Sequence, residues 1–167
     1  PNPIGGDAVE GPSLSPGHDS FVGPHPIPTR HGLTIGELAR FYAAERKIAV
    51  PLEVIPCEGW RRGDYLDQTG LPWVLPSPNM PTFDTALVYP GQVLLEGTNV
   101  SEGRGTTRPF EIFGAPWIDT RAVRRQFERR RLPGLVLRDH SFEPTFHKFA
   151  GSVCHGFHIH VTDRDAF

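Results

Sequence analysis

Glu10 stands in the string Gly5-Gly6-Asp7-Ala8-Val9-Glu10-Gly11-Pro12. One carboxylate flanked by glycines and a proline is held on a rigid turn, as a general acid or base requires. By residue type alone a lone loop glutamate is a solvated side chain, so Glu10 needs support from elsewhere in the sequence. A second string is richer: Glu96-Gly97-Thr98-Asn99-Val100-Ser101-Glu102-Gly103-Arg104-Gly105-Thr106. Its glycines release the backbone for turns or close ligand approach. Glu96, Asn99, Glu102 and Arg104 supply acceptors and donors of the kind that grip sugar hydroxyls. The G-x-x-x-x-G-K-[ST] pattern is not met, so no phosphate loop is encoded. The competing reading is a solvated loop with an internal Glu–Arg pair.

Other clusters carry weaker chemistry. The run His155-Gly156-Phe157-His158-Ile159-His160 puts His158 and His160 on one strand face and Phe157 and Ile159 on the other. Two histidines at that spacing can bind a metal. No third ligand stands at a characteristic spacing, so the expectation is histidines on a polar strand face, with no metal and no cofactor. The segment Arg121–Arg131 is basic but lacks interleaved aromatics. It reads as a solvated helix face with cations at its C-terminal end, where the dipole favours them, and not as a nucleic-acid patch. Trp60, Trp73 and Trp117 sit beside Gly or Pro; loop aromatics either stack on a sugar ring or lid the core, and both readings stand. No G-x-S-x-G elbow is present and Cys154 falls inside an expected strand, so no Ser or Cys nucleophile is signalled.

The elements that must position these residues follow from periodicity. Residues 1–33 are dense in Gly and Pro and read as a long loop. Thr34-Ile35-Gly36-Glu37 fits a capping box that opens a helix ending near Lys47. Leu52–Ile55 reads as a short strand, and 57–81 as a second long loop containing Asn79. A short helix over 83–89 should stop at Pro90-Gly91, and Val93-Leu94-Leu95 reads as a buried strand delivering the polar string at its carboxyl end. Phe110–Phe113 is a further strand candidate. Asp119 should cap a helix from about Thr120 to Arg131 with Ala122, Val123 and Phe127 inward, and strands are expected over 135–137 and 153–161. Strands alternating with helices place the chain in the α/β class.

Composition bounds the rest. The 167 residues are 38% hydrophobic and 22% charged, enough for a buried core. The formal net charge of −2 argues against bulk binding to nucleic acid or an anionic membrane. No stretch approaches the roughly 18 apolar residues of a membrane span. The 18 glycines and 18 prolines punctuate hydrophobic runs, which suggests ordered loops. Cys57 and Cys154 form neither a disulfide framework nor a zinc spacing. The opening Pro1-Asn2-Pro3-Ile4-Gly5-Gly6 is a turn-type string that normally follows a strand, so the chain is expected to be a piece of a larger protein.

Taken together the strings resemble one family. Pro1–Gly6, Val9-Glu10-Gly11-Pro12, Arg30–Ala39, Thr69–Val74, Pro76–Pro81, Glu96–Thr106, Gly114-Ala115-Pro116-Trp117 and Ile159–Arg164 look like successive signatures of the NamZ-like exo-β-N-acetylmuramidases of bacteria, long catalogued as a domain of unknown function. The likeness runs over essentially the whole chain. It implies a partial Rossmann-like catalytic domain, residues 1–115, followed by the start of a smaller α/β C-terminal domain, residues 116–167, with the site in an interface cleft. It implies an exo-acting glycoside hydrolase that releases terminal N-acetylmuramic acid from peptidoglycan fragments, and hence a cell-envelope or secreted location. Of the family's two proposed catalytic glutamates, one corresponds by its motif to Glu10. The other belongs to an upstream segment.

Glycoside hydrolysis needs one carboxyl to protonate the leaving oxygen and a second group to act as base or nucleophile, a role that an N-acetyl sugar's own acetamido group can also fill. On this reading Glu10 is the acid/base, Glu96, Asn99, Glu102 and Arg104 line the sugar site, and His31 and Asn79 are further contacts. Arg104 suits the lactyl carboxylate of muramic acid, since a guanidinium meets a carboxylate bidentately; its competing role is to fix Glu102. The alternative function is a non-catalytic module that holds peptidoglycan sugars with the same loops. A nucleotide-binding module would need G-x-G-x-x-G after a strand, and none is present.

Overall fold

The structure, a computed structural model, describes residues 3–167. They form two compact units, one running to Trp73 and one spanning Val74–Phe167. The boundary expected between 115 and 116 lies inside the second unit. Pro1 and Asn2 of the opening turn string lie outside the described residues.

The first unit contains one α-helix, α1 (Ile35–Glu45), and one 3-10 turn at Leu66–Gln68. The capping box forms as expected: Thr34 Oγ1 accepts from the Glu37 N–H at 3.2 Å, and Glu37 Oε2 accepts from the Thr34 N–H at 2.8 Å. Long loops are tied down by backbone pairing rather than by a sheet. The Gly6 N–H donates to Arg62 O at 2.8 Å and the Leu66 N–H to Pro3 O at 2.9 Å. Gly5 has φ +64°, and a Cβ there would stand 3.1 Å from the Asp64 carbonyl oxygen, so this approach needs glycine. The strand expected at 52–55 is absent. The segment has no ladder partner, and Ile55 is 85% exposed; an apolar, extended-prone run becomes a strand only when a neighbouring backbone pairs with it.

The second unit begins with α2 (Phe83–Gln92), capped by Thr82, whose hydroxyl accepts from the Thr85 N–H at 3.2 Å. Two expectations fail here. α2 passes through Pro90 and runs directly into a 3-10 helix at Val93–Gly97, where a strand was expected. Pro90 gives up its own N–H and crowds the carbonyl of Ala86, but it stands near the helix end and its fixed φ suits helical backbone. Short apolar runs do not separate strand from helix by periodicity, and Val93 keeps helical φ −58° and ψ −28°. The polar string therefore leaves a helix end, not a strand end.

Three strands follow around one helix: β1 (Ile112–Ala115), α3 (Thr120–Arg130), β2 (Leu135–Phe142) and β3 (Cys154–Val161). They form an antiparallel sheet in the order β1-β3-β2, so the class is mixed α/β with a small antiparallel sheet. Asp119 caps α3 as expected, its Oδ1 accepting from the Arg121 and Ala122 N–H groups at 2.9 and 3.2 Å. The register sets the two faces. Phe113 lies beside Phe157 and Leu137 beside Ile159, and onto this side α3 packs Phe127, 6.4 Å from the Phe113 ring and 5.8 Å from Phe157. Val88 of α2, Phe110 and Ile159 complete that core. Ile112, His158 and Arg138 stand in register on the opposite side. A second, smaller core of Ile112, Phe142 and Cys154 covers part of it. Gly156 faces Gly114 across the ladder, and a Cβ on Gly156 would stand 1.9 Å from the Phe113 carbonyl oxygen.

Candidate functional site

Glu10 is carried on a two-way backbone bridge. Its N–H donates to Arg30 O at 2.8 Å and the Arg30 N–H donates back to Glu10 O at 3.0 Å. The same partner reads the side chain: Arg30 Nη1 donates to Glu10 Oε2 at 2.7 Å. The Glu10 side chain is 58% exposed while that of Arg30 is 17% exposed, so a well-covered guanidinium orients an accessible carboxylate. Oε1 has no hydrogen-bond partner among the described residues and can meet a ligand. Gly11, at φ +92°, follows directly and packs against Thr29. His31 sits next to the bridge, its Nδ1 accepting from the Leu33 N–H at 3.1 Å. That bond leaves Nε2 as its outward nitrogen.

Below this loop stands a second ion-pair group. Glu37, already in the capping box, receives Arg62 through Nη2 and, at 3.1 Å, through Nη1. Arg62 also donates to Gly32 O at 2.9 Å and reaches Asp7 at 3.3 Å. The Arg62 hydrogen bonds, followed by the Thr34 N–H, pull the Glu37 pKa down to about 2. One guanidinium thus joins the start of α1 to the loop on either side of Glu10.

In the second unit the structure draws Glu96, Glu102 and Arg104 together. Arg104 Nη2 bonds Glu96, its Nε lies 3.6 Å from Glu102 Oε1, and its guanidinium lies over the Phe110 ring at 5.3 Å. The internal Glu–Arg pair weighed from sequence is therefore present. Glu102, however, has a side chain with 0% exposure. Lys148 Nζ meets its Oε2 at 3.0 Å, and His147 Nδ1 lies 3.5 Å from Oε1. Asn99 is exposed on the turn after the 3-10 helix, and Asn79 sits in a tight Ser-Pro-Asn turn with its N–H donating to Ser77 Oγ at 3.3 Å. Tyr89 lies against Phe110 with ring centroids 4.8 Å apart, and burial, followed by the nearby Glu96 charge, raises its pKa.

Sequence reasoning missed three polar residues of this unit. Lys148 is one of two lysines in the chain and pairs across 46 positions, a distance at which no local pattern speaks. Glu111 is buried in the segment expected as a strand. Its Oε1 accepts from the Thr82 and Thr85 hydroxyls at 2.7 and 2.6 Å, and its Oε2 accepts from Arg108 Nη1 at 3.2 Å. Arg138 pairs in register with His158, its Nη2 lying 3.1 Å from His158 Nδ1. The pairing of His158 and His160 on one face is as expected, with rings 4.0 Å apart. Burial, with the His160 and Arg138 charges, pushes the His158 pKa down; burial and Arg138 do the same to His140. Among the described residues no group of three His, Cys, Asp or Glu is placed to hold a metal ion, and no helix is long and apolar enough to cross a membrane. Trp117 is an exposed loop side chain, and Trp60 lies beneath the Arg62 guanidinium at 5.8 Å.

Comparison with known proteins places this chain in a family. Residues 1–84 match the N-terminal domain, and residues 87–167 the C-terminal domain, of "Exo-beta-N-acetylmuramidase NamZ". The chain is 52% identical over 167 residues to the peptidoglycan beta-N-acetylmuramidase NamZ of Bacillus subtilis (strain 168), and spans 40% of that relative's length. Two crystal structures of DUF1343 family proteins from Bacteroides fragilis NCTC 9343 also match. One aligns with a TM-score of 0.89 at 34% identity, covering 99% of this chain and 44% of that one. The other aligns with a TM-score of 0.69 at 33% identity, covering 95% and 41%. The junction between the two matched domains falls within residues 84–87, at the α2 segment that opens the second compact unit. The chain belongs to the NamZ exo-beta-N-acetylmuramidase family.

Proposed function

We propose that the protein is an exo-acting glycoside hydrolase that releases terminal N-acetylmuramic acid from peptidoglycan fragments, with Glu10 as a catalytic acid/base. The observation that carries this reading is the Glu10–Arg30 bridge: backbone hydrogen bonds in both directions and a 2.7 Å guanidinium contact fix an exposed carboxylate with one oxygen uncommitted. A group that exchanges a proton at the glycosidic bond needs that combination of access and fixed orientation. Membership of the family and the muramidase name of the Bacillus subtilis relative support the substrate class. The second catalytic group is a carboxylate outside these residues or the substrate's own acetamido oxygen.

Within the proposal Asn99, Glu96 and Asn79 stay as direct sugar contacts, with His31 through Nε2. Glu102 acts through Arg104 and Lys148, because its side chain is sealed from solvent. Arg104 is likewise read as a positioning residue, its guanidinium already committed to Glu96 and Phe110. The catalytic domain is read as Rossmann-like; a crystal structure of the full-length protein without a parallel sheet in that domain overturns that part. The substrate class makes the cell envelope or the exterior the place of action.

Release of the chromophore from a chromogenic N-acetylmuramide by the full-length protein tests the function. Turnover of the muramide in preference to the matching N-acetylglucosaminide is the expected outcome. Saturable binding of muramic acid without turnover would instead support the sugar-binding module.

A further inference from the structure

On the face of the sheet opposite α3 lies a concavity of about 730 Å³ that none of the sugar contacts named above lines. Its cations are arranged by one buried acid. Glu111 takes Arg108 directly through Oε2, and the same oxygen lies 3.7 Å from His158 Nε2. On its other side His158 meets Arg138, Nδ1 to Nη2 at 3.1 Å. Two threonine hydroxyls hold the remaining Glu111 oxygen. Glu111 therefore steadies Arg108 by contact and lies beside the imidazole that meets Arg138. Neither guanidinium is used up. Arg138 makes no ion pair among the described residues, and Arg108 is 48% exposed with one bond to Glu111. Glu143 also lines the rim but pairs with neither arginine among the described residues.

The other walls suit an organic anion better than an inorganic one. Phe142 and the half-exposed Phe146 offer apolar surface, beside Thr106 and Thr145, whose hydroxyls donate to the Gly103 and Gly105 carbonyls. A planar guanidinium fork beside an apolar wall matches a carboxylate attached to a carbon skeleton. Burial keeps the His158 pKa below the usual histidine range, so at neutral pH its Nδ1 is free to accept from Arg138.

We propose that this concavity is a carboxylate-binding subsite in which Arg138 and Arg108 hold the oxygens of a carboxylate borne by the peptidoglycan fragment. The chemistry rests on the arginines; the identity of the ligand rests on the muramidase reading. Two sources carry such a group, the lactyl ether of muramic acid and the peptide stem.

Calorimetric titration of the full-length protein separates them, using N-acetylmuramic acid, its methyl ester, N-acetylglucosamine and an N-acetylmuramoyl dipeptide. The expected result is that N-acetylmuramic acid binds about tenfold or more tightly than its ester or N-acetylglucosamine, the scale of a charged hydrogen-bonded pair. Arg138→Met and Arg108→Met should each shrink that ratio, and Arg138→Lys should restore part of it. Arg138-dependent binding of the dipeptide alone supports the subsite and assigns it to the stem. Equal binding of acid and ester with no Arg138-dependent binding of the dipeptide, or ratios unmoved in both methionine variants, overturns the subsite. Muramide hydrolysis is scored separately. Its absence alongside intact Arg138-dependent binding sinks the muramidase reading and leaves the subsite standing; its presence with unmoved ratios does the reverse.

Discussion

Lys148 Nζ lies 3.0 Å from Glu102 Oε2 and donates to the carbonyls of Leu95 and Val100 at 2.8 and 3.0 Å. All three ammonium protons are thereby used. One side chain ties the 3-10 turn after α2 to the polar string and to the loop before β3, around a carboxylate with 0% side-chain exposure. The cost of such a pair shows when one member is removed. Lys148→Met takes from buried Glu102 its one hydrogen-bonded cation, leaving only the longer approaches of Arg104 and His147, and should destabilise the protein by about 3 kcal/mol. Adding Glu102→Gln should recover a substantial part. Urea melts of the wild type, single and double variants check this, and a Lys148→Met loss below about 1 kcal/mol contradicts it.

Arg104 separates two roles by one conservative change. Lysine keeps the charge but loses the fork that bonds Glu96 and faces Glu102, and it loses the planar contact with Phe110. Arg104→Lys should therefore lower the melting temperature while leaving the ratio of muramide to glucosaminide turnover near that of the wild type. A collapsed ratio with unchanged melting would make Arg104 a direct contact to the lactyl group instead.

The Glu37–Arg62 contact predicts an acid limb of stability. The Glu37 pKa falls from 4.5 to about 2 in the folded protein, chiefly through Arg62. A depressed carboxylate contributes stability fully above the unfolded value and loses it as pH drops through the folded one. Stability should therefore decline between roughly pH 4.5 and pH 2, and Glu37→Gln should flatten that decline. Thermal melts across this range read it directly. An unchanged slope in Glu37→Gln would assign the acid limb to other groups.

Gly105 is held at φ +85°, and a Cβ there would stand 2.5 Å from the Phe146 carbonyl oxygen. Thr145 bonds Gly105 O through both its N–H and its hydroxyl, so the loop cannot back away cheaply. Gly105→Ala should cost at least about 2 kcal/mol from backbone strain and overpacking combined. Gly97→Ala, where nothing stands within 4 Å, is the control and should be close to neutral. Equal losses in the two variants would contradict the packing argument.

What the sequence revealed is local. The Thr34 and Asp119 caps, the strand alternation of His158 and His160 against Phe157 and Ile159, and the Glu–Arg pairing within the polar string all follow from neighbours in the chain. Misreadings arose where tertiary context decides. Val93–Leu95 carries a strand composition, yet its backbone inherits helical dihedrals from α2. Leu52–Ile55 lacks a partner strand. The burial of Glu102 by Lys148, and of Glu111 by Thr82, Thr85 and Arg108, depends on contacts between distant segments that no spacing rule encodes. Glu10 drew attention through a family motif, and only the structure reveals its bond to Arg30.

The most direct measurement is the turnover of a chromogenic N-acetylmuramide by the full-length protein and its Glu10→Gln variant, with melting curves for both. Glutamine preserves the shape and the backbone bridge to Arg30 but cannot exchange the proton. The account predicts a fall in kcat/KM of about a thousandfold or more, some 4 kcal/mol of transition-state stabilisation, with melting nearly unchanged. Near-normal turnover in a folded Glu10→Gln variant would contradict it and remove Glu10 from the catalytic pair.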